Sequence, residues 1–128
     1  APDPCVPNPS LRQPSNDQVD AGNAAVVAGD LDEAVARYRA ALSINTCNPF
    51  GWTALGDVWL QLGDAESARA ALTVATRLMP THFHAWTALG QAEERAGDRA
   101  AARRAYQRAL ETNPNHEPAR AGLARLGG

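Results

Sequence analysis

The chain contains no lysine: all 12 of its basic residues are arginines, set against 14 acids, for a net charge of −2 with histidine neutral. That near-neutral balance, with aromatics at only 5% of residues, argues against nucleic-acid binding, which needs a strongly basic surface and aromatic platforms. No apolar run is long enough to span a bilayer. No basic start followed by an apolar stretch of signal length is present. There is no Gly-x-Ser-x-Gly elbow and no phosphate-cradling glycine loop, and serine and threonine are scattered. The two cysteines lack the close Cys or His pairs of a zinc or haem site. With no catalytic set and no cofactor motif, the sequence points to a noncatalytic protein. The arginine-only usage is associated with GC-rich bacterial genomes.

What is present is a period. Trp52, Leu55, Gly56 and Trp59 recur 34 residues later as Trp86, Leu89, Gly90 and Glu93. Segments 15–48, 49–82 and 83–116 align as three units. Gly22, Gly56 and Gly90 coincide, as do Gly29-Asp30, Gly63-Asp64 and Gly97-Asp98. Ala34, Ala68 and Ala102 follow, then Tyr38, Leu72 and Tyr106, then Ala41, Ala75 and Ala109. Each unit holds two runs of helical period separated by Gly-Asp. The glycine suits a left-handed residue just past a helix end. The aspartate suits the N-cap of the next helix, and Asp30 with Glu33 reads as a capping box. These signals predict helices over 16–28, 31–44, 50–62, 65–78, 84–96 and 99–111. A shorter seventh over 117–126 is expected to use Leu123 and Leu126 to cover the open end, leaving Arg120 and Arg125 in water. Trp52 and Trp86 are expected to be buried between paired helices.

The pattern Trp52-x2-Leu55-Gly56-x2-Trp59, Ala68-x3-Leu72, Pro80 resembles the tetratricopeptide repeat, and the resemblance covers about 100 of the 128 residues. It implies an all-α, right-handed α-solenoid of three helix-turn-helix units (15–48, 49–82, 83–116) plus a C-terminal capping helix in 117–128. The first unit departs most, with Gln18, Ala21 and Ala25 where large apolar residues are usual, and the third carries Glu93 at the usual tyrosine.

The amino-terminal segment 1–14 holds five prolines and no hydrophobic period, which predicts an extended arm. Its alanine-proline start is compatible with trimming after a signal peptide. Cys5 lies in this arm and Cys47 in the turn between the first two units. Helices that run up and back place that turn at the end of the stack where the arm begins. A Cys5–Cys47 disulfide would staple the arm by closing a loop of roughly 42 residues, a stabilisation of about 4 kcal/mol in the chain-entropy model. Such a bond implies an oxidising compartment, periplasmic or otherwise exported. The alternative is two free thiols in a cytosolic protein.

The three histidines are the candidate metal ligands. His82 and His84 form His-x-His at a helix start, and His116 is the repeat equivalent of His82. Equivalent positions in adjacent units lie about a helix-packing distance apart, roughly 10 Å, too far to share one ion bound at about 2 Å. They are read as exposed loop histidines, with no metal. Arg95, Arg99, Arg103, Arg104 and Arg108, interleaved with Glu94, Asp98 and Glu111, read as a solvated, salt-bridged outer face.

The resemblance further implies a concave surface lined by the first helix of each unit. On this sequence it takes Val19, Asn23 and Val26, then Phe50, Thr53, Asp57 and Leu60, then His84, Thr87, Gln91 and Glu94. Its first half is apolar and its second polar. Chaperone cofactors of the family clamp a peptide's terminal carboxylate with lysine, asparagine and arginine. Here only Asn23 matches, while Val19, Ala54, His84 and Ala88 stand at the other positions. The expected ligand is therefore a peptide or protein segment with apolar anchors, Phe50 and Leu60 receiving them and Asp57 selecting a polar group. The expected role is a noncatalytic binding or assembly module of the bacterial envelope, without cofactor. A self-associating structural subunit and a metal or redox accessory protein are the other readings, and the pattern leaves the oligomeric state open. The disulfide is directly testable: thiol labelling of the unreduced, denatured protein from its native compartment is expected to find no reactive cysteine. Two reactive thiols would remove both the bond and the exported location.

Overall fold

The computed structural model describes residues 8–127. Among them the chain forms seven helices and no strand: α1 Pro9–Val27, α2 Leu31–Ile44, α3 Pro49–Gln61, α4 Ala65–Leu78, α5 Phe83–Ala96, α6 Arg99–Thr112 and α7 Glu117–Arg125. Consecutive helices pack on each other. In addition α1 meets α3, α3 meets α5 and α5 meets α7, whereas the backbones of α2, α4 and α6 do not approach one another. The row α1, α3, α5, α7 is thus the closely spaced one, and the array curves around it.

The Gly-Asp turns form as their chemistry requires. Gly29, Gly63 and Gly97 have φ of 81°, 84° and 90°, in the left-handed region that glycine adopts without steric cost. The next amide reaches back over the helix end, Asp30 to the Ala25 carbonyl, Asp64 to Trp59 and Asp98 to Glu93, each at 2.9 Å. The carboxylates of Asp30, Asp64 and Asp98 then accept from the amides of Glu33, Ser67 and Ala101. Only half of the expected capping box exists. The Asp30 amide is already used by Ala25, so the Glu33 carboxylate pairs with Arg37 at 2.7 Å instead.

The first helix begins earlier than proline content suggested. Asn8 caps it by accepting from the Ser10 amide at 3.1 Å, and Pro9 occupies the first helical position, where a missing N–H costs nothing. Pro14 lies inside the helix. Its ring and the Ser10 residue it leaves without an i→i−4 donor are both exposed, so water can serve the carbonyl. Ser15, fully buried, donates to the Ala41 carbonyl at 2.8 Å, and Asn48 donates to both Ser15 and Asn16, locking the start of α1 to the α2–α3 turn. The expected extended arm over 1–14 is therefore corrected: residues 9–14 are helix. The remainder of that arm, Cys5 included, lies outside the described residues, apart from the cap Asn8.

The core repeats with the sequence. Tyr38, Leu72 and Tyr106 are buried to 2% exposure or less, each driven against a glycine of the preceding helix. A Cβ added at Gly22 would stand 2.4 Å from the Tyr38 ring, at Gly56 2.5 Å from Leu72, and at Gly90 2.6 Å from the Tyr106 ring. These glycines are there so that helices can approach, and they face inward. Trp52 and Trp86, by contrast, are only half-buried. Their indole N–H groups donate to the Thr46 and Pro80 carbonyls, both at 2.8 Å, so each ring closes an inter-unit turn where full burial between helices was expected. The aromatic slot two turns further on is taken by Trp59, which packs against the core shared with the preceding unit and against the core shared with the next.

At the far end Leu126 is buried and Leu123 packs beside it, giving the expected cap. Arg120 and Arg125 are exposed as expected, but Arg125 is also tied down. It pairs with Glu94 at 2.9 Å while Arg120 reaches only Glu117. Of the arginines expected on a solvated outer face, Arg99 and Arg103 donate to the Leu126 carbonyl, whereas Arg95 lies on α5 beside Gln91, Glu94 and Arg125 of the inner row and donates to the Leu60 carbonyl of the unit before.

The glycine contacts set a test. In Gly90→Ala the gain in helix propensity, about 1 kcal/mol, opposes overpacking of about 1–3 kcal/mol. Overpacking should win, because Tyr106 is held on its other side by Gly122, where an added Cβ would be 2.5 Å from the ring. The variant is expected to melt several degrees lower; an unchanged melting temperature would show that the ring has room.

Candidate concave binding face

The inner row presents a fixed register. Position 16 recurs as 50 and 84, and position 23 as 57, 91 and 125, so Asn16, Phe50 and His84 form one line and Asn23, Asp57, Gln91 and Arg125 another. Phe50 is 48% exposed, the largest hydrophobic side chain so exposed among the described residues. It lies on the first turn of α3, after the cap Asn48, whose side-chain Oδ1 accepts from the Phe50 and Gly51 amides. One ring edge meets His82 at 5.6 Å. Phe50 borders two depressions. One, about 410 Å³, is walled by Asn8, Arg12, Asn16 and Met79. The other, about 450 Å³, is walled by Gln13, Asn16, Asp20 and Asn23.

Polar links tie the row together. The Tyr38 hydroxyl donates to Asn23 at 2.6 Å. His84 bonds Asp57 at 2.9 Å, bridging α5 to α3. The Tyr106 hydroxyl donates to Glu94, which also receives Arg125. Burial raises the Tyr38 phenol, helped by the Asp57 charge, and burial followed by Glu94 raises Tyr106. Burial works to raise the Glu94 carboxyl, but the hydrogen bonds from Arg125 and Tyr106 outweigh it and hold the group low. The hydrogen bond to Asp57 raises His84, while burial lowers His82, with the His84 charge adding to that.

The expected groove residues divide on burial. Asn23 and His84 are exposed, and Val26, Asp57, Gln91 and Glu94 are half-buried on the inner row. Val19 and Leu60 are core residues at 7% and 6% exposure, so neither can serve as an apolar anchor as expected. Leu60 is covered by Ala88, Leu89 and Ala92 of the following unit, and Val19 by Tyr38, Leu55 and Val58. Thr53 and Thr87 are also buried, their hydroxyls donating to the Pro49 and Phe83 carbonyls of their own helices. Asn16, Gln13 and Met79 were missed. The first two lie beyond where α1 was expected to start or at its edge. Arg125 was missed too, although the 34-residue register from Gln91 reaches it.

The histidines are not loose loop residues. His82 and His116 stand at the N-caps of α5 and α7, without a side-chain capping bond, and His84 is inside α5. His116 packs edge-on against Phe83 at 4.8 Å with its Nε2 buried and unpartnered, and burial lowers its pKa. Among the described residues no three His, Cys, Asp or Glu side chains are grouped as metal ligands would be. No helix among them is long and apolar enough to cross a membrane.

A curved stack of helix pairs, with small residues at the contacts and an inner face carrying one exposed aromatic, defines a helical-repeat solenoid. Tetratricopeptide-repeat profiles match residues 19–83 and 83–126, and the chain belongs to the tetratricopeptide-repeat family. No curated protein matches the sequence. Several solved structures share the fold. The first such domain of Spaghetti (RPAP3), bound to the HSP90 peptide SRMEEVD, superimposes with a TM-score of 0.88 at 23% identity, covering 90% of this chain and 91% of that one. The Sgt2 domain from Aspergillus fumigatus gives 0.85 at 27% identity, over 99% and 83%. The second domain of human RPAP3, in complex with the HSP70 peptide SGPTIEEVD, gives 0.87 at 19% identity, over 92% and 98%.

The Asp57–His84 bridge is expected to depend on pH. A histidine whose folded pKa is raised contributes stability that is fully present below its unfolded pKa of about 6.5 and lost as pH rises through the folded value. Titration of the His84 ring by NMR should give a midpoint above that of an ordinary histidine, and Asp57→Asn should bring it down. A midpoint at or below the ordinary value in the parent protein would show that the bridge does not form in solution.

Proposed function

We propose that this protein is a noncatalytic binding or assembly module that takes a peptide or protein segment along its inner row, with an apolar residue of the partner landing on Phe50. The observation that carries this reading is Phe50 itself. A half-exposed aromatic between two depressions is a poor way to fill a solvated surface and a good way to anchor a side chain. Beyond it the row turns polar through Asp57, His84, Gln91, Glu94 and Arg125, which can pair with the partner's backbone or polar groups and set its register.

Two of the similar structures hold chaperone peptides that end in Glu-Val-Asp. The corresponding chemistry is weak here. Val19 is buried, Ala88 is buried, Ala54 carries no polar group, and the His84 ring is engaged by Asp57. A partner recognised by an apolar anchor suits these residues better than one recognised by its terminal carboxylate. The envelope location and the Cys5–Cys47 bond belong to this reading as well, supported by the cysteine placement and the arginine-only composition.

Capture from a cell extract and mass spectrometry would supply the segment, and anisotropy of the labelled segment would measure binding. Phe50→Ala is expected to weaken it at least about tenfold, as anchor truncations do, with little change in melting temperature. Asp32→Asn, on the exposed side of α2, should bind like the parent. If Phe50→Ala binds normally and Asp32→Asn does not, the partner uses the outer face.

A further inference from the structure

The outer face carries a cleft of about 550 Å³ between α4 and α6, floored by Trp86 and Leu89 of α5 and by Ala105. Its existence traces to one repeat position. In the unit before, that position is Trp59, whose ring packs between two units and is overlaid by Arg39 at 5.8 Å. Thirty-four residues on it is Glu93, whose carboxylate turns to Arg69 at 3.4 Å. The large ring is missing, and the space it would fill stays open.

The charges around the opening do not cancel. Glu93 is held by Arg69 and Glu111 by Arg108 at 3.0 Å. Arg77 and Arg104, both exposed on the cleft walls, have no ion-pair partner among the described residues. Arg108 also lies over the Trp86 ring at 5.1 Å. The Thr73 and Thr76 hydroxyls donate to carbonyls of α4 itself, so the α4 wall adds little competing polarity. An apolar floor under a surplus of cations selects its ligand by complementarity.

We propose that this cleft is a second binding site, for an acidic peptide segment that places one large apolar side chain against the half-buried Trp86 ring, where the repeat lacks its aromatic. Its carboxylates pair with Arg77 and Arg104. The site is on the opposite side from Phe50 and does not depend on it.

The probe is a fluorescein-labelled synthetic peptide of glutamates with leucine at every third or fourth place, compared with one in which lysine replaces each glutamate. The acidic peptide is expected to bind, more weakly as salt rises, and to shift the Trp86 indole signal in NMR spectra. Glu93→Trp, which restores the ring of the preceding unit, should abolish binding; Arg69 keeps its 2.8 Å pair with Glu66. Replacing Arg77 and Arg104 together by serine, both exposed, should weaken binding at least about tenfold without unfolding the protein. Phe50→Ala should leave it unchanged. Four results would each overturn the site: no binding of the acidic peptide, equal binding of the lysine peptide, full binding by the double arginine variant, or loss of binding in Phe50→Ala.

Discussion

Everything in this fold depends on the contact between a glycine on the first helix of each unit and a large side chain on the second. Gly22 receives Tyr38, Gly56 receives Leu72 and Gly90 receives Tyr106, at distances that leave no room for a Cβ. Because the contact sets how near the paired helices come, it also sets the spacing of the inner row. The alanines that follow, Ala34, Ala68 and Ala102, are fully buried for the same reason: a close helix pair has room only for methyl groups at its seam.

The same contact links packing to function. Tyr38 and Tyr106 fill the seam with their rings and emerge on the inner row as hydroxyls, which bind Asn23 and Glu94. A buried phenol that can donate at its tip satisfies its polar atom and orders a surface group at once. The middle unit uses leucine, which has no such handle, and there the inner row is ordered across units by Asp57 and His84. Core choice therefore decides where the binding face is rigid within a unit and where it is held between units.

Departures from strict repetition are where surface features arise. The junction before α3 is a buried network of Ser15, Asn16 and Asn48; the junctions before α5 and α7 are edge-on contacts of Phe50 with His82 and Phe83 with His116. Exchanging Trp59 for Glu93 opens a cleft on the outer side. A perfectly regular array would offer the same surface at every unit and could not set a partner's register.

The sequence by itself determined the helix pairs, their turns and their caps, because left-handed glycines, capping aspartates and a 34-residue period are local signals that need no partner to be read. It also placed Phe50 and Asp57 on the inner row. It misjudged Leu60 and Val19, since a residue's helical face follows from its number but its burial follows from a neighbouring unit, and Ala88, Leu89 and Ala92 close over Leu60 only once the units stack. Proline content hid the start of α1, whose helix is held by Ser15 and Asn48 across 33 residues of chain. Tertiary structure alone decided that Arg125 returns to Glu94 and that the missing ring at Glu93 leaves a space, for each is a relation between helices that touch only in the folded stack.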